Sequence, residues 1–426
     1  MRTRYSAWNL LAAARRDHED WAPAWREVAE PKPRYDVVII GGGGHGLATA
    51  YYLASQHGVR NVAVLEAGWI GGGNTGRNTT IVRSNYLYPE SARLYDFSVK
   101  LYEALSRELN YNIMFSQRGI VTLAHSRHDL EAQSRWANAM QCNGIDAELL
   151  DARQVRDLEP RLNFGPDARH PILGGFIQRR AGPARHDAVA WGYARGASAL
   201  GVDIIQNCEV TGFLKRGEAI AGVQVRHRGP DGDVMREIAC DKAAMAVSGH
   251  SSVLAALAGF ELPITSYALQ AMVSEPVKPV LNTVTLSPAL GAYWSQSDKG
   301  EVVIGGALDH FPSYAQRGSF GVMQHVVAAT AEMLPSLGRL RLLRQWAGIV
   351  DIVQDSSPIL GASPVPGLYL NCGWGTGGFK AIPVGGWTLA HVLATGRDHE
   401  LAEPFQLRRF LTGRLIDEAG AAGIAH

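Results

Sequence analysis

The stretch YDVVIIGGGGHGLATAYYLASQHGVRNVAVLEAG, residues 35–68, decides the fold. Val37–Ile40 is a continuous apolar run, as a strand buried on both faces requires. Gly41, Gly43 and Gly46 follow at once in a GxGxxG arrangement. Leu47–Gln56 then carries apolar residues at helical spacing, with Gly58 where a C-terminal cap belongs. Asn61–Leu65 reads as a second buried strand and ends at Glu66, twenty residues beyond Gly46. Each part has a physical reason. Glycine lets backbone approach a pyrophosphate and lets helix pack on strand, the helix N-terminus offers free amides and a positive dipole, and the acid accepts hydrogen bonds from a ribose. A lone GxGxxG is a weak signal, but this strand–turn–helix–strand–acid order is a strong one for a dinucleotide.

Working outward, GGGNTGRNTTIVRSNY (71–86) is too polar and glycine-rich for a core element and reads as a loop that brackets a ligand. Between 100 and 180 a helix at Asp129–Cys142 mixes with short strands such as Gly119–Ala124. From His186 the pattern is helical to Leu200, stopped by Gly201. Asp203–Val210, a glycine-spaced hairpin to Val225 and a buried strand at Lys242–Ser248 come next. HRGPDGDVMREIAC, near residues 226–240, makes that hairpin region long. Residues 262–350 read as an antiparallel sheet (Ala268–Val273 and Glu301–Gly306 alternate) with one helix near Val322–Leu334. GLYLNCGWGTGGFKAIPVGGWTLAHVLATG (367–396) repeats the strand–glycine loop–helix theme. A second glycine loop facing the first suggests FAD more than NAD. The flavin ring needs a further contact, and a helix N-terminus at 375–384 is placed to stabilise the charge it gains on reduction.

The fold class expected is therefore α/β plus α+β: a Rossmann-like βαβ FAD-binding domain with an antiparallel-sheet substrate domain. The division expected is an arm and linker over 1–34, a discontinuous FAD-binding domain over 35–100, 183–260 and 340–426, and a substrate or interface domain over 101–182 and 261–339. With 426 residues, two domains are expected. At 19% charged and 46% hydrophobic the chain is no candidate for disorder. Forty-one basic against forty acidic residues, net +1, exclude a general nucleic-acid footprint. No apolar stretch approaches the roughly 18–20 residues a spanning helix needs, so no membrane is expected. Cys142, Cys208, Cys240 and Cys372 lie far apart without CxxC or metal-ligand spacing, which leaves out disulfide scaffolds and zinc, implies no metal, and suits a reducing, cytoplasmic setting. The first 34 residues faintly mimic a secretory signal, but ArgArgAsp and the tryptophans Trp8, Trp21 and Trp25 read better as an amphipathic arm that packs on this chain or on a partner.

The words GGGGHGLATAYYLA, GGGNTGRNTTIVRSNYL, FSQRG, RHDAVAW, GVDIIQNCEVTGF, HSSVLAALAGFELP and NCGWGTGGFK occur in that order. On them the sequence resembles the FAD-dependent amine oxidases of the D-amino-acid oxidase superfamily, and most closely the beta subunits of heterotetrameric sarcosine oxidases, from about residue 17 to the C-terminus. The resemblance implies oxidation of N-methylglycine (sarcosine) to glycine, the methyl carbon leaving as formaldehyde or passing to tetrahydrofolate. It implies noncovalent FAD, with electrons passing through a covalent FMN to oxygen to give hydrogen peroxide. It also implies alpha, gamma and delta subunits as partners, with NAD and tetrahydrofolate bound only there. The residues it assigns to FAD are Gly41, Gly43, Gly44, His45, Gly46 and Glu66, then Asn74, Thr75, Arg77, Asn78 and Thr79, then Val210, and finally Gly375, Gly377, Gly378 and Lys380. His186 in RHDAVAW matches the histidine that carries FMN. Arg83 and Lys380 match the residues that meet the substrate.

The chemistry of these residue types weighs unevenly. Arginine suits a carboxylate because its planar fork donates two parallel hydrogen bonds, although a surface arginine is the ordinary case. Lys380 sits in a glycine loop, a poor place for a merely solubilising lysine. From the residues alone Asp187 caps a helix and His186 is its solvated neighbour; only the resemblance singles out His186, with His170 as the fallback. Tyr267, Gln270 and His250 are placed near the substrate without roles. Two further readings stand beside the main one: an oxidase or dehydrogenase of another secondary or tertiary amino acid such as dimethylglycine or proline, and a subunit whose flavin only relays electrons.

Overall fold

Apolar residues at 37–40 alternate between two cores because the strand that holds them, Arg34–Ile40, is buried on both faces. Val37 and Ile39 pack with the helices Gly44–Gln56, His186–Ala199 and Ile382–Thr395 on one face, while Val38 and Ile40 pack against Val223, Cys240 and Leu370 on the other. The computed structural model describes residues 7–16, 23–229 and 232–418. In it this strand is central to an eight-stranded sheet, parallel to Val62–Leu65 on one side and to Gly232–Met245 on the other. Asp203–Ile205 closes one edge; Leu368–Cys372 and Ile359–Ala362 close the other. The helix predicted from Leu47 begins three residues earlier, at Gly44, and ends at Gln56, with Gly58 at φ +69° just beyond it.

Cys208–Arg216 and Ala219–Gly229 run antiparallel to one another, and the second pairs with the first half of Gly232–Met245. The buried strand expected at Lys242 is thus the end of a fourteen-residue strand whose first half belongs to a long hairpin.

The second sheet also has eight strands, in the order Leu342–Val353, Ile264–Pro276, Glu301–Pro312, Ala292–Gln296, Val284–Ser287, Ile120–Ala124, Gly174–Gln178, Glu148–Asp151. Its core gathers Met272, Trp294 and Ile304 under the helix Phe320–Met333, and Trp294 donates to the Thr330 hydroxyl at 2.9 Å. One boundary expected from the sequence is corrected here. Leu342–Val353, placed with the dinucleotide half from residue 340 onward, pairs along its length with Ile264–Pro276 in the second sheet. Its apolar end resembles a parallel core strand because loops from the first layer cover it: Asn74 accepts from the Ile349 amide and Asp351 accepts from the Gly373 amide.

The arm divides. Helix Ala7–Ala14 buries none of its residues, and Trp8 is 79% exposed. Trp25 packs on this chain, against the first core cluster, and next to it Arg26 and Lys32 pair with the buried Asp203. Trp21 lies outside the described residues.

Candidate active site

A cavity of about 780 Å³ runs between the two sheets from Glu66 to Lys380. At its first end the three fingerprint glycines are required for two different reasons. A Cβ on Gly41, which has φ +109°, would fall 2.4 Å from the Ala246 carbonyl oxygen, and one on Gly46 would fall 2.0 Å from that of Gly41. These two let backbone pack on backbone. At Gly43 a Cβ would meet only the Thr75 hydroxyl, at 3.2 Å, so the surrounding protein leaves room there. That room opens on the cavity at the N-terminus of helix Gly44–Gln56, as an anion such as a pyrophosphate needs. Glu66 is fixed at the end of Val62–Leu65 by accepting from the amides of Gly42 (2.7 Å) and Gly68 (2.8 Å). Burial raises its pKa and those two bonds oppose the rise. Val210 lines the same end.

The loop after Trp69 crosses from one sheet to the other. Thr75 accepts from the Gly44 amide at 2.9 Å. Asn74 donates to the Ser248 hydroxyl at 2.7 Å and is stitched to Ile349 through both ends of its amide. Arg77 turns its guanidinium back onto the carbonyls of Gly72 and Gly73, and Asn78 donates to the Thr75 carbonyl. Thr79 shares a hydrogen bond of 3.0 Å with Tyr293. All five predicted loop residues line the cavity. Gly44, His45, Gly375 and Gly378 line it too, whereas Gly46 and Gly377 do not; their glycines serve close packing. His45 bridges the two glycine loops through its contact with the Gly378 carbonyl at 2.9 Å, and burial lowers its pKa to about 4, which keeps the ring neutral.

Arg83 and Lys380 converge on the far end. Arg83 follows the short strand Ile81–Val82 and donates to Asn85 at 2.5 Å. Lys380 is 5% exposed and donates to the Thr376 carbonyl at 2.9 Å. Burial, with the Arg83 charge added, holds its pKa well below that of a free lysine. Neither side chain makes an ion pair among the described residues, although the buried Glu418 carboxylate interacts with the Arg83 charge at longer range and Asp351 lines the same cavity. Gln270 and His250 line the cavity; Tyr267 does not.

Two cavity residues were not anticipated. Tyr293 is half-buried, its ring lying where a Cβ on Gly305 would come within 2.1 Å, so the neighbouring strand carries glycine there. Asp351 is 1% exposed, accepts from the Gly373 amide at 2.6 Å, and is pushed up to about 6 by burial. Neither stands in a motif. Their places follow from strand register, and alternation within AYWSQ and GIVDIV is the only trace they leave in the sequence.

His186 lies outside the cavity. It begins the helix His186–Ala199, whose chain is tied behind the loop by the bond from the Ala184 amide to the Thr80 carbonyl, 2.9 Å. The cap is not Asp187, as the sequence suggested: Arg185 holds that position, and Asp187 instead pairs with Arg185 at 2.6 Å. The His186 Nδ1 is buried without a hydrogen-bond partner, and burial lowers its pKa, so the imidazole is neutral at pH 7. His170, the fallback, lies apart beside Glu332, 4.0 Å away.

The FAD dependent oxidoreductase family matches residues 36–392. The chain is 54% identical over 397 residues to the sarcosine oxidase subunit beta of Arthrobacter sp, covering 93% of this chain and 96% of that one. It is 51% identical to the sarcosine oxidase subunit beta of Rhodobacter capsulatus, covering 99% and 100%. Among solved structures, L-proline dehydrogenase from P. horikoshii superposes with a TM-score of 0.82 at 25% identity, over 90% of this chain and 100% of that one. The chain therefore belongs to the FAD dependent oxidoreductases and, within them, to the sarcosine oxidase beta subunits. It is a flavin-dependent enzyme of amine oxidation. Among the described residues no helix is long and apolar enough to cross a membrane.

Proposed function

We propose that this chain oxidises sarcosine to glycine as the beta subunit of a heterotetramer, in a cytoplasmic setting that its four free cysteines suit. The observation that carries the substrate is the pair of basic side chains, Arg83 and Lys380, at one end of a cavity whose other end fits a dinucleotide. When bound there, FAD supplies a two-electron acceptor for the hydride equivalent that the amine loses. The chain's own residues do the rest. Arg83 offers a fork to the substrate carboxylate and Lys380 a second donor that gains its charge as the carboxylate binds, so the N-methyl group is oriented from its far end. Apolar walls at Ile120, Leu269 and Leu286 exclude water and favour the neutral amine, the form able to give up hydride. In this reading the methyl carbon leaves as formaldehyde or passes to tetrahydrofolate in a partner, and electrons leave through FMN held at His186 to oxygen, giving hydrogen peroxide. A neutral imidazole with a buried, unpartnered nitrogen supports that attachment.

Anaerobic addition of sarcosine is expected to bleach the FAD stoichiometrically. An unbleached flavin would overturn sarcosine as the substrate and leave the other-amino-acid and electron-relay readings. The structural likeness to a proline dehydrogenase makes the amino acid itself the thing to measure, and rates with sarcosine, dimethylglycine and proline should fall in that order.

The FAD assignment has its own test. Gly43→Val puts a branched side chain into the one fingerprint position that the protein leaves open, and the purified variant should lack FAD; Glu66→Ala should retain it more weakly. Full FAD content in Gly43→Val would move the dinucleotide elsewhere.

Partner dependence is expected from the exposed first helix, where Trp8, Leu10 and Leu11 present 79%, 54% and 54% of their surface. Produced alone, the chain should be poorly soluble or incompletely flavinylated, and co-expression with the other subunits should repair it. A stable monomer with covalent FMN and full turnover would refute this.

A further inference from the structure

Behind Arg83 stands a column of buried aromatic rings. Its guanidinium lies 5.1 Å from the centre of the Tyr86 ring. Tyr86 in turn stacks face to face on Tyr95, with centroids 3.8 Å apart and planes 8° apart, and Tyr95 meets Trp374 edge-on at 6.3 Å. Both tyrosines are buried, at 8% and 3%, and neither borders the cavity. The pair fits because residue 377 is glycine: a Cβ there would come within 2.2 Å of the Tyr95 hydroxyl and 3.3 Å of the Tyr86 hydroxyl. A glycine that sequence reasoning gave to the cofactor thus makes room for the ring pair.

The loop that carries Tyr86 is held from its other side by a carboxylate from the far end of the chain. Glu418 is 2% exposed, accepts from the Tyr88 amide at 3.2 Å, is further held by Ser91 and the Leu87 amide, and interacts with the Arg83 charge. Its own backbone is anchored: the Glu418 amide bonds the Asp355 carbonyl at 3.2 Å, and Asp355 makes a buried two-point pair with Arg409 at 2.7 and 2.9 Å. A free arginine samples many rotamers, and ordering such a side chain costs conformational entropy. A cation seated on a clamped ring, with Asn85 on its edge, has met that cost before substrate arrives.

We propose that Tyr86, backed by Tyr95 and Glu418, is the positioning residue that holds Arg83 ready for the substrate carboxylate. The inference rests on Arg83 meeting that carboxylate.

The test uses the FAD-loaded complex and acetate, a carboxylate without an amine, with binding read from the flavin spectrum, alongside the split of KM from kcat for sarcosine. Tyr86→Leu removes the ring and is expected to weaken acetate about tenfold and raise KM by a similar factor, with FAD content retained and kcat changed less. Tyr86→Phe, which keeps the ring, should restore binding. Glu418→Gln, which keeps shape but removes charge, should weaken acetate about threefold by loosening the loop. Wild-type acetate affinity in Tyr86→Leu, with binding lost in Arg83→Ala, overturns the positioning role and leaves Arg83 in place. Wild-type affinity in Arg83→Ala overturns the underlying reading instead. Should Tyr86→Leu fail to hold FAD, Glu418→Gln decides, and unchanged acetate affinity in it counts against the proposal.

Discussion

Arg83→Ala and Lys380→Ala are each expected to lower kcat/KM for sarcosine by roughly 30- to 1,000-fold, or about 2–4 kcal/mol of lost transition-state stabilisation. The size follows from where the two cations sit. A charge-assisted hydrogen bond on an exposed surface is screened by water, but Lys380 is 5% exposed and both residues face a cavity walled by apolar side chains. The double variant should lose less than the sum of the two, since both act on one carboxylate.

A pH dependence accompanies this, with a definite sign. Burial and the Arg83 charge both disfavour the ammonium form of Lys380. A bound carboxylate brings a compensating negative charge and favours that form, so binding draws a proton onto the lysine and carboxylate affinity falls as pH rises through its pKa. Isothermal titration of acetate in two buffers of different ionisation enthalpy measures the proton uptake. It should disappear in Lys380→Ala, and uptake that persists there would assign the proton to another group. Unchanged kcat/KM in both single variants would remove them from the site.

What the sequence disclosed depended on how local the cause was. The βαβ unit and its acid were legible because their constraints leave marks in one continuous segment, residues 35–68: an apolar run for a strand buried on two faces, a glycine at φ +109°, a helix that must begin against backbone. Lys380 and Arg83 were legible through long sequence words rather than chemistry, since a lysine after glycines and an arginine in a polar loop are individually ordinary. Tyr293 was illegible. Its ring lies flat only because Gly305 stands opposite on the paired strand, a relation that exists only once register is set. Leu342–Val353 went to the wrong half for a related reason: the end of a sheet-edge strand, once covered by loops of another layer, is buried like part of a central parallel strand. Asp187 was misplaced as a cap because an acid beside a helix start satisfies the rule in sequence. In three dimensions Arg185 takes that carboxylate and the cap stands two residues earlier, at Arg185 itself.

His186→Asn is expected to abolish covalent flavin altogether while leaving FAD releasable. Acid precipitation separates the two, noncovalent FAD going to the supernatant and attached FMN colouring the pellet. Attachment requires an imidazole nitrogen free of a proton, and the balance of three features at this helix start supplies one. Burial, the largest cause, disfavours the imidazolium; Asp187 favours it, but Arg185, which disfavours it, holds that carboxylate in a two-point pair at 2.6 and 3.0 Å, and the balance lowers the pKa. Asparagine keeps a polar side chain of similar reach and costs the helix little, so loss of attachment would report the missing nucleophile rather than a misfolded domain. Breaking the pair offers a graded companion. In Arg185→Ala the freed Asp187 carboxylate stands beside the histidine and favours its protonation, so flavinylation should slow at pH 6 and recover toward pH 8. Equal rates at both pH values would show that the pair does not govern the imidazole. Yellow pellets from His186→Asn would place the attachment on another side chain, with His170 beside Glu332 the next to replace.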